Sequence, residues 1–423
     1  MTGAAALAGQ ADVLIVGAGH AGVQAAVALR QKGFEGSVTL LGAELHPPYE
    51  RPPLSKEYLS GEKDFERMLL RPQSFWEAKG VELKLGVRVV GVEPLAQRVM
   101  TADGDWWGYG SLIWAAGGSA RRLSCPGADL KGVHVVRTRD DADALRCALD
   151  GVERVVVVGG GYVGLEAAAA FVKAGKAVTL VEQQDRLLAR VAGQVVSDFY
   201  LDLHRRHGVD VRLCVGVEAL EGAGGCVTGV VLADGECLPT DLVVAGVGLV
   251  PSVAPLLTAG ADGQDGVDVD PLCRTSLPHV FAIGDCARHV NVFADGARIR
   301  VESVQNANDQ AQTVAGVLTG GPKPYESLPW FWSNQYDVRL QTVGLSTGCD
   351  QAVVRGEPTK DGFSVVYLRA GRVVAMDCIN ATRDYVQGRA LITGEARIAP
   401  EQLADPDRPL KDLAVEAESR ALL

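Results

Sequence analysis

One glycine pattern occurs twice in this chain, each time between an apolar run and an alanine-rich stretch. Ala11-Asp12-Val13-Leu14-Ile15-Val16 leads into Gly17-Ala18-Gly19-His20-Ala21-Gly22, and Val23 to Leu29 follows with helix-forming residues. The pattern recurs 142 residues later, where Arg154 to Val158 leads into Gly159-Gly160-Gly161-Tyr162-Val163-Gly164 and then Leu165 to Ala174. Short unbroken apolar runs suit strands buried on both faces of a parallel sheet. In a strand, turn and helix sequence, the first glycine makes the turn and the second lets a pyrophosphate approach the backbone. The third lets the helix pack on the strand. The unpaired N–H groups at the helix start then face the phosphates. One such motif is a weak signal, but two in full context predict an α/β chain with two Rossmann-like dinucleotide-binding domains.

The residues after each motif distinguish the two sites. Ala177 to Val181 is an apolar strand ending at Glu182, a carboxylate 18 residues past Gly164. That position grips a ribose 2′-hydroxyl in such folds, which favours NAD over NADP because a 2′-phosphate would meet Glu182. Arg186 nearby leaves the opposite choice open. After the first motif the strand Val38 to Leu41 ends in Gly42-Ala43-Glu44, so the acidic residue is displaced. Leu112 to Gly118 and Asp241 to Gly248 are apolar strands that run into glycines, and Thr275 to Asp285 reads as a strand ending in Gly284-Asp285. An aspartate there accepts from a sugar-alcohol hydroxyl or simply closes a turn. These segments point to a flavin dinucleotide at the first site.

The 423 residues suffice for two or three domains, and 47% apolar with 22% charged residues is an ordinary globular composition. The net charge of −11 gives no global field for nucleic acid or anionic lipid. Nine cysteines, odd in number and never spaced as C-x-x-C, signal neither a disulfide framework nor a local zinc or redox pair. Free thiols in a reducing compartment follow, and Met1 to Ala11 lacks a basic start and a long apolar stretch, so a cytoplasmic protein is expected. Leu242 to Ala261 is twenty residues without a charge, about a bilayer's length, yet Pro251, Pro255, Gly246 and Gly248 favour a buried strand running into a loop.

With these blocks in this order, the chain resembles the two-dinucleotide flavoprotein reductases of the glutathione-reductase type, and among them the putidaredoxin reductase group. The resemblance runs from Asp12 to about Lys411. It rests on Arg51-Pro52-Pro53-Leu54-Ser55-Lys56, the second glycine motif with Glu166, Phe281 to Asp285, Val301 to Val304, and Trp330-Phe331-Trp332-Ser333-Asn334-Gln335-Tyr336. It implies an FAD domain at about 1–119 and 245–322, an NAD domain at about 120–244, and a smaller α+β C-terminal domain at about 323–423. It also implies NADH as donor and a [2Fe-2S] ferredoxin as acceptor, serving a haem monooxygenase or a ring dioxygenase.

Carried over residue by residue, the resemblance implies FAD contacts from Gly17, Gly19, Ala21, Gly22, Ala43, Arg51, Lys56, Val89, Arg137, Gly284, Asp285, Val304 and Trp332. NAD contacts would come from Gly159, Gly161, Val163, Gly164, Glu182, Arg190, Gly248 and Glu302. Ala116 stands where the family usually has threonine, which removes one hydroxyl near the flavin. Lys56 and Glu166 would pair near the flavin N5, with Trp332 packed at the ring. A lysine there stabilises negative charge on the reduced ring. The plainer readings are a solvated loop lysine, a first-turn helix carboxylate favoured by the dipole, and ordinary core tryptophans. Gln335 and Tyr336 carry no role in this reading.

Thiol and disulfide reductases of this architecture need cysteine beside the flavin, and this chain has none before Cys125. The expectation is outer-sphere transfer to a one-electron carrier, with the cysteines serving as packing. Ferredoxins of this group are acidic, so a local basic patch is expected, formed by Arg71, Arg389 and Lys411 around Trp330. Two other uses of the architecture stay open: an NADH oxidase that reduces oxygen, and an NADH-sensing flavoprotein like apoptosis-inducing factor.

Overall fold

The computed structural model describes residues 7–358 and 362–421. Met1 to Ala6, part of the N-terminal reading above, lie outside the described residues. The chain folds as two units, one formed by residues up to 50, 65–119 and 250–329, the other by 51–64, 120–249 and 330 onward.

In the first unit the apolar run becomes the strand Leu7–Val16, central in a parallel sheet. Val13 pairs with Val38 on one side, and Val16 pairs with Trp114 on the other. Val13, Leu14 and Ile15 are at most 1% exposed, because layers cover both faces of the sheet. Val81–Leu85 lies beyond Val38–Gly42, and Val280–Ala282 lies along Trp106–Trp114. The first glycine helix spans His20–Gln31, three residues earlier than the apolar pattern suggests, and the long helix Val304–Leu318 packs on it. Ser303 caps that long helix by accepting from Asn306 N. The strand expected over Thr275 to Asp285 is only Val280–Ala282. Pro278 has no N–H to give and His279 takes φ +60°, so the ladder starts after them.

The second unit repeats the arrangement. Arg154–Val158 lies between Ala177–Val181 and Leu242–Ala245, with Asp210–Arg212 and Val133–Val135 outside them, all parallel. The second glycine helix spans Tyr162–Lys173. Its earlier start places Glu166 in the second turn, where the dipole of the helix start no longer explains it. The C-terminal part is an antiparallel sheet in the order Trp330–Gln335, Val338–Gly344, Arg372–Ile379, Phe363–Arg369, Gln351–Gly356, with the helix Thr382–Thr393 packed on it. The fold class is therefore α/β with two Rossmann-like sheets and a smaller α+β part.

Leu242 to Ala261 opens with the buried strand Leu242–Ala245, and its later residues include the short helix Ala254–Thr258 where the prolines suggest a loop. Among the described residues, no helix is long and apolar enough to cross a membrane.

Candidate active site

Steric limits assign each glycine of the two motifs its task. Gly17 has φ +112°, and a Cβ on it would stand 2.3 Å from Ala115 O; Gly159 has φ +107°, and its Cβ would stand 2.6 Å from Gly246 O. A Cβ on Gly22 would lie 1.9 Å from Gly17 O, and one on Gly164 the same 1.9 Å from Gly159 O. Gly19 and Gly161, the second glycines, have nothing within 4 Å of that point and no side-chain cap on the helix they open. Each helix start thus presents uncapped N–H groups to open space, which fits a pyrophosphate. Val163 is 41% exposed beside Gly161, an apolar side chain left open at the same mouth.

Around the second cradle, Glu182 follows its strand directly and turns back on the glycine loop. Its Oε2 accepts from Gly160 N at 2.6 Å, and its Oε1 accepts from Gln184 N at 2.8 Å. The carboxylate therefore stands at the loop, where a ribose hydroxyl would reach it. Arg186 is committed elsewhere, donating to Ala192 O, Ser197 Oγ and Ala189 O within 2.8 Å, which removes it as a ready phosphate ligand. Arg190 is exposed and its Nη2 lies 3.9 Å from a Cβ built on Gly248, so those two residues meet. Glu302 belongs to the first unit, where it pairs with Arg300 at 2.6 Å.

The first cradle gathers several of the expected flavin residues. Gly284 abuts Ala21, with 3.1 Å between a Cβ built on it and that of Ala21, and Gly284 N donates to Gln310 Oε1 at 2.7 Å. Asp285 follows in a turn, and Val304 begins the capped long helix. Ala43 is exposed at the end of its strand, and Val89 is buried. Arg51, Lys56, Arg137 and Trp332 lie in the second unit, where Arg51 Nη1 donates to Arg137 O at 2.8 Å.

Lys56 and Glu166 do meet. Lys56 Nζ is 3.0 Å from Glu166 Oε1, with side chains 11% and 4% exposed, so the lysine is not a solvated loop residue. Ser55 Oγ donates to Glu166 Oε2 at 2.7 Å, and Ser333 Oγ donates to Oε1 at 2.6 Å. A buried carboxylate gripped by two hydroxyls and an ammonium is costly to desolvate, and only such complete pairing sustains it. Ser55 and Ser333 stand inside two of the motifs that carry the resemblance, yet the sequence assigns neither a role. Alternation along the strand puts Phe331, Ser333 and Gln335 on one face.

The same strand carries an aromatic run: Tyr162 to Phe331 at 4.5 Å between ring centroids, Phe331 to Trp332 at 6.3 Å, Trp332 to Trp330 at 5.5 Å, and Trp330 to Tyr385 at 6.2 Å. Arg389 lies over the Tyr385 ring and donates to its hydroxyl, while Lys411 N donates to Gln387 on the same helix as Arg389. Arg71 is in the first unit, over the Phe75 ring. The nine cysteines are free thiols, and burial pushes those of Cys286 and Cys378 up to about 12, far from a reactive thiolate.

This pairing of two pyrophosphate cradles defines a two-dinucleotide oxidoreductase. The chain belongs to the pyridine nucleotide-disulphide oxidoreductase family, whose pattern matches residues 11–311, and the reductase C-terminal pattern matches 330–414. It is 60% identical to the 5,5'-dehydrodivanillate O-demethylase ferredoxin reductase subunit of Sphingobium sp., over 95% of this chain and 98% of that protein. Among solved structures, the ferredoxin reductase for the CYP199A2 system from Rhodopseudomonas palustris aligns with TM-score 0.92 and 41% identity, covering 95% of this chain and all of that one. The putidaredoxin reductase of a covalent complex with putidaredoxin aligns with TM-score 0.93 and 38% identity, covering 98% of this chain and 100% of that one.

Proposed function

We propose that this chain is an FAD-dependent NADH:ferredoxin reductase, which delivers electrons to a [2Fe-2S] ferredoxin that feeds a haem monooxygenase or ring dioxygenase. The observation that carries the reading is the doubled cradle with Glu182 on the second copy and a buried Lys56–Glu166 pair, in a chain without cysteine before residue 125. Ferredoxin reductases matching it end to end support the acceptor.

FAD held there would supply the chemistry of taking a hydride from NADH and releasing two electrons one at a time. The uncapped backbone N–H groups at the two helix starts, after Gly19 and Gly161, would hold the two pyrophosphates, and Glu182 would accept from the adenosine ribose of NADH. Asp285 and Val304 of the first unit would hold FAD. Lys56, held by Glu166, would offer an ammonium to negative charge on a reduced flavin. Arg389, over the Tyr385 ring that meets Trp330, and Lys411, bonded to the same helix, would provide the basic surface for an acidic ferredoxin. The chain comprises an FAD-binding part at about 1–119 and 245–322, an NAD-binding part at about 120–244 and a C-terminal part at about 323–423, and free thiols favour the cytoplasm.

Anaerobic mixing tests the reading. NADH should bleach the flavin absorbance within one turnover, and oxidised ferredoxin added next should restore it. A flavin that NADH does not bleach would overturn the proposal.

A further inference from the structure

Beyond Ser333 the hydrogen bonds continue in one direction. Gln335 Nε2 donates to Ser333 Oγ at 3.2 Å, His204 Nε2 lies 2.9 Å from Gln335 Oε1, and Tyr336 Oη lies 3.3 Å from His204 Nδ1. Ser333, Gln335 and His204 are at most 2% exposed, whereas Tyr336 is half-buried and stacks at 3.7 Å on the exposed ring of His207.

We propose that Ser333, Gln335 and His204 are positioning residues for the Lys56–Glu166 pair, joined in a head-to-tail run that begins at the Tyr336 hydroxyl and ends on the Glu166 carboxylate. This rests on the reading that Lys56 works at the flavin.

The direction of the run follows from donor counting. Glu166 Oε1 takes the single hydrogen of Ser333, so Ser333 has only lone pairs left for Gln335 and the amide must turn its NH₂ to it. The amide oxygen then faces His204 Nε2, which must carry the ring proton, and the bare Nδ1 accepts from Tyr336. Flipping the amide would set two acceptors against the one serine hydrogen, so that Glu166 Oε1 would lose its serine donor and keep Lys56 alone, with nothing on that side to fix the carboxylate. Every donor in the run thus points toward Glu166, and each bond polarises the next. Burial holds His204 neutral, with its pKa down at about 4, which keeps Nδ1 free to accept. An amide does not readily hand a proton on, so the run orients the carboxylate and does not conduct protons to it. Its consequence is geometric: the carboxylate, fixed by Ser333 on one side and Ser55 on the other, fixes the ammonium of Lys56.

A double-mutant cycle separates this role from plain packing. Ser333→Ala should slow NADH-driven flavin bleaching roughly tenfold, the usual weight of one hydrogen bond to a charged group. In a Lys56→Met background the same change should do nothing further, because the group it positions is gone. Ser333→Thr should restore most of the rate. A second readout needs no turnover. Histidine-labelled protein, with the His204 signal identified by its loss in His204→Asn, should show a neutral Nε2–H imidazole by ¹⁵N NMR. In Ser333→Ala that signal should become a mixture of tautomers, since Gln335 is then free to flip. Equal slowing in both backgrounds, or a His204 tautomer indifferent to Ser333, would overturn the proposal. If Ser333→Ala does not fold, Gln335→Met, of similar length but without the amide, goes through the same cycle. A wild type that NADH does not reduce would instead defeat the functional reading, while a rate loss shared by both backgrounds defeats this inference alone.

Discussion

Lys56 and Glu182 are single side chains with separable consequences. Lys56→Met keeps the aliphatic stem and removes the charge, so flavin bleaching by NADH should slow by at least roughly tenfold in stopped flow while FAD stays bound. An unchanged rate would remove Lys56 from the chemistry. Glu182→Ala removes an acceptor from the ribose and should cost about 1.5 to 3 kcal/mol of NADH use, read as kcat/KM. Wild type should prefer NADH, since Arg186 is tied to Ala192, Ser197 and Ala189. Equal NADPH use would point to another cation. The glycines were readable in the sequence because backbone sterics alone dictate them, as the 1.9 Å approach of a Gly22 Cβ to Gly17 O makes plain. Ser333, Gln335 and His204 were not, because Ser333 meets Glu166 from 167 positions away and His204 meets Gln335 from 131. A hydrophobic pattern carries no record of such pairings.

At the scale of elements, strand centres were legible and their ends were not. Arg154–Val158 folds with the boundaries of its apolar run, whereas the two glycine helices begin three residues before the helix-forming stretches, since the glycine loop itself supplies their first turn. The final helices hang on one residue that sequence reading did not single out. Arg355 is 3% exposed, and its guanidinium donates to Asp384 Oδ2 at 2.9 Å and to the carbonyls of Leu403, Asp405, Pro406 and Arg408. This one fork ties the chain between Pro400–Ala404 and Leu410–Ala421 to the edge strand Gln351–Gly356. Arg355→Met should destabilise by about 3 to 5 kcal/mol, because it strips the donor from the buried Leu403 carbonyl and from three part-buried ones, and leaves the Asp384 carboxylate with Ser364 Oγ but no cation. Urea unfolding measures it, and a loss under about 1 kcal/mol would mean that water replaces the guanidinium.

Over the whole molecule, stability should fall on mild acidification. Burial lowers His204 and His289 from 6.5 to about 4, so between those values the unfolded chain binds more protons than the native one. The contribution is full above pH 6.5 and is lost as the pH falls through about 4. Asp377 works the other way: burial raises it to about 7, so its contribution is full below pH 3.8 and is lost as the pH rises through about 7. Two histidines against one aspartate leave a net loss toward acid of about 1 kcal/mol per pH unit from these groups. His204→Asn should flatten the slope of unfolding free energy between pH 4.5 and 6 by about that amount, and an unaltered slope would show that His204 titrates normally. Charge also bears on partner choice: residues 323–423 carry net −2, against −9 for the rest, so the C-terminal part is the less acidic face for an acidic carrier. The most direct test of the account is NADH consumption in air with and without an oxidised [2Fe-2S] ferredoxin, following oxygen at the same time. Consumption should be slow alone and rise many-fold with ferredoxin. A fast ferredoxin-independent rate matched by oxygen uptake would contradict the account and make the protein an NADH oxidase.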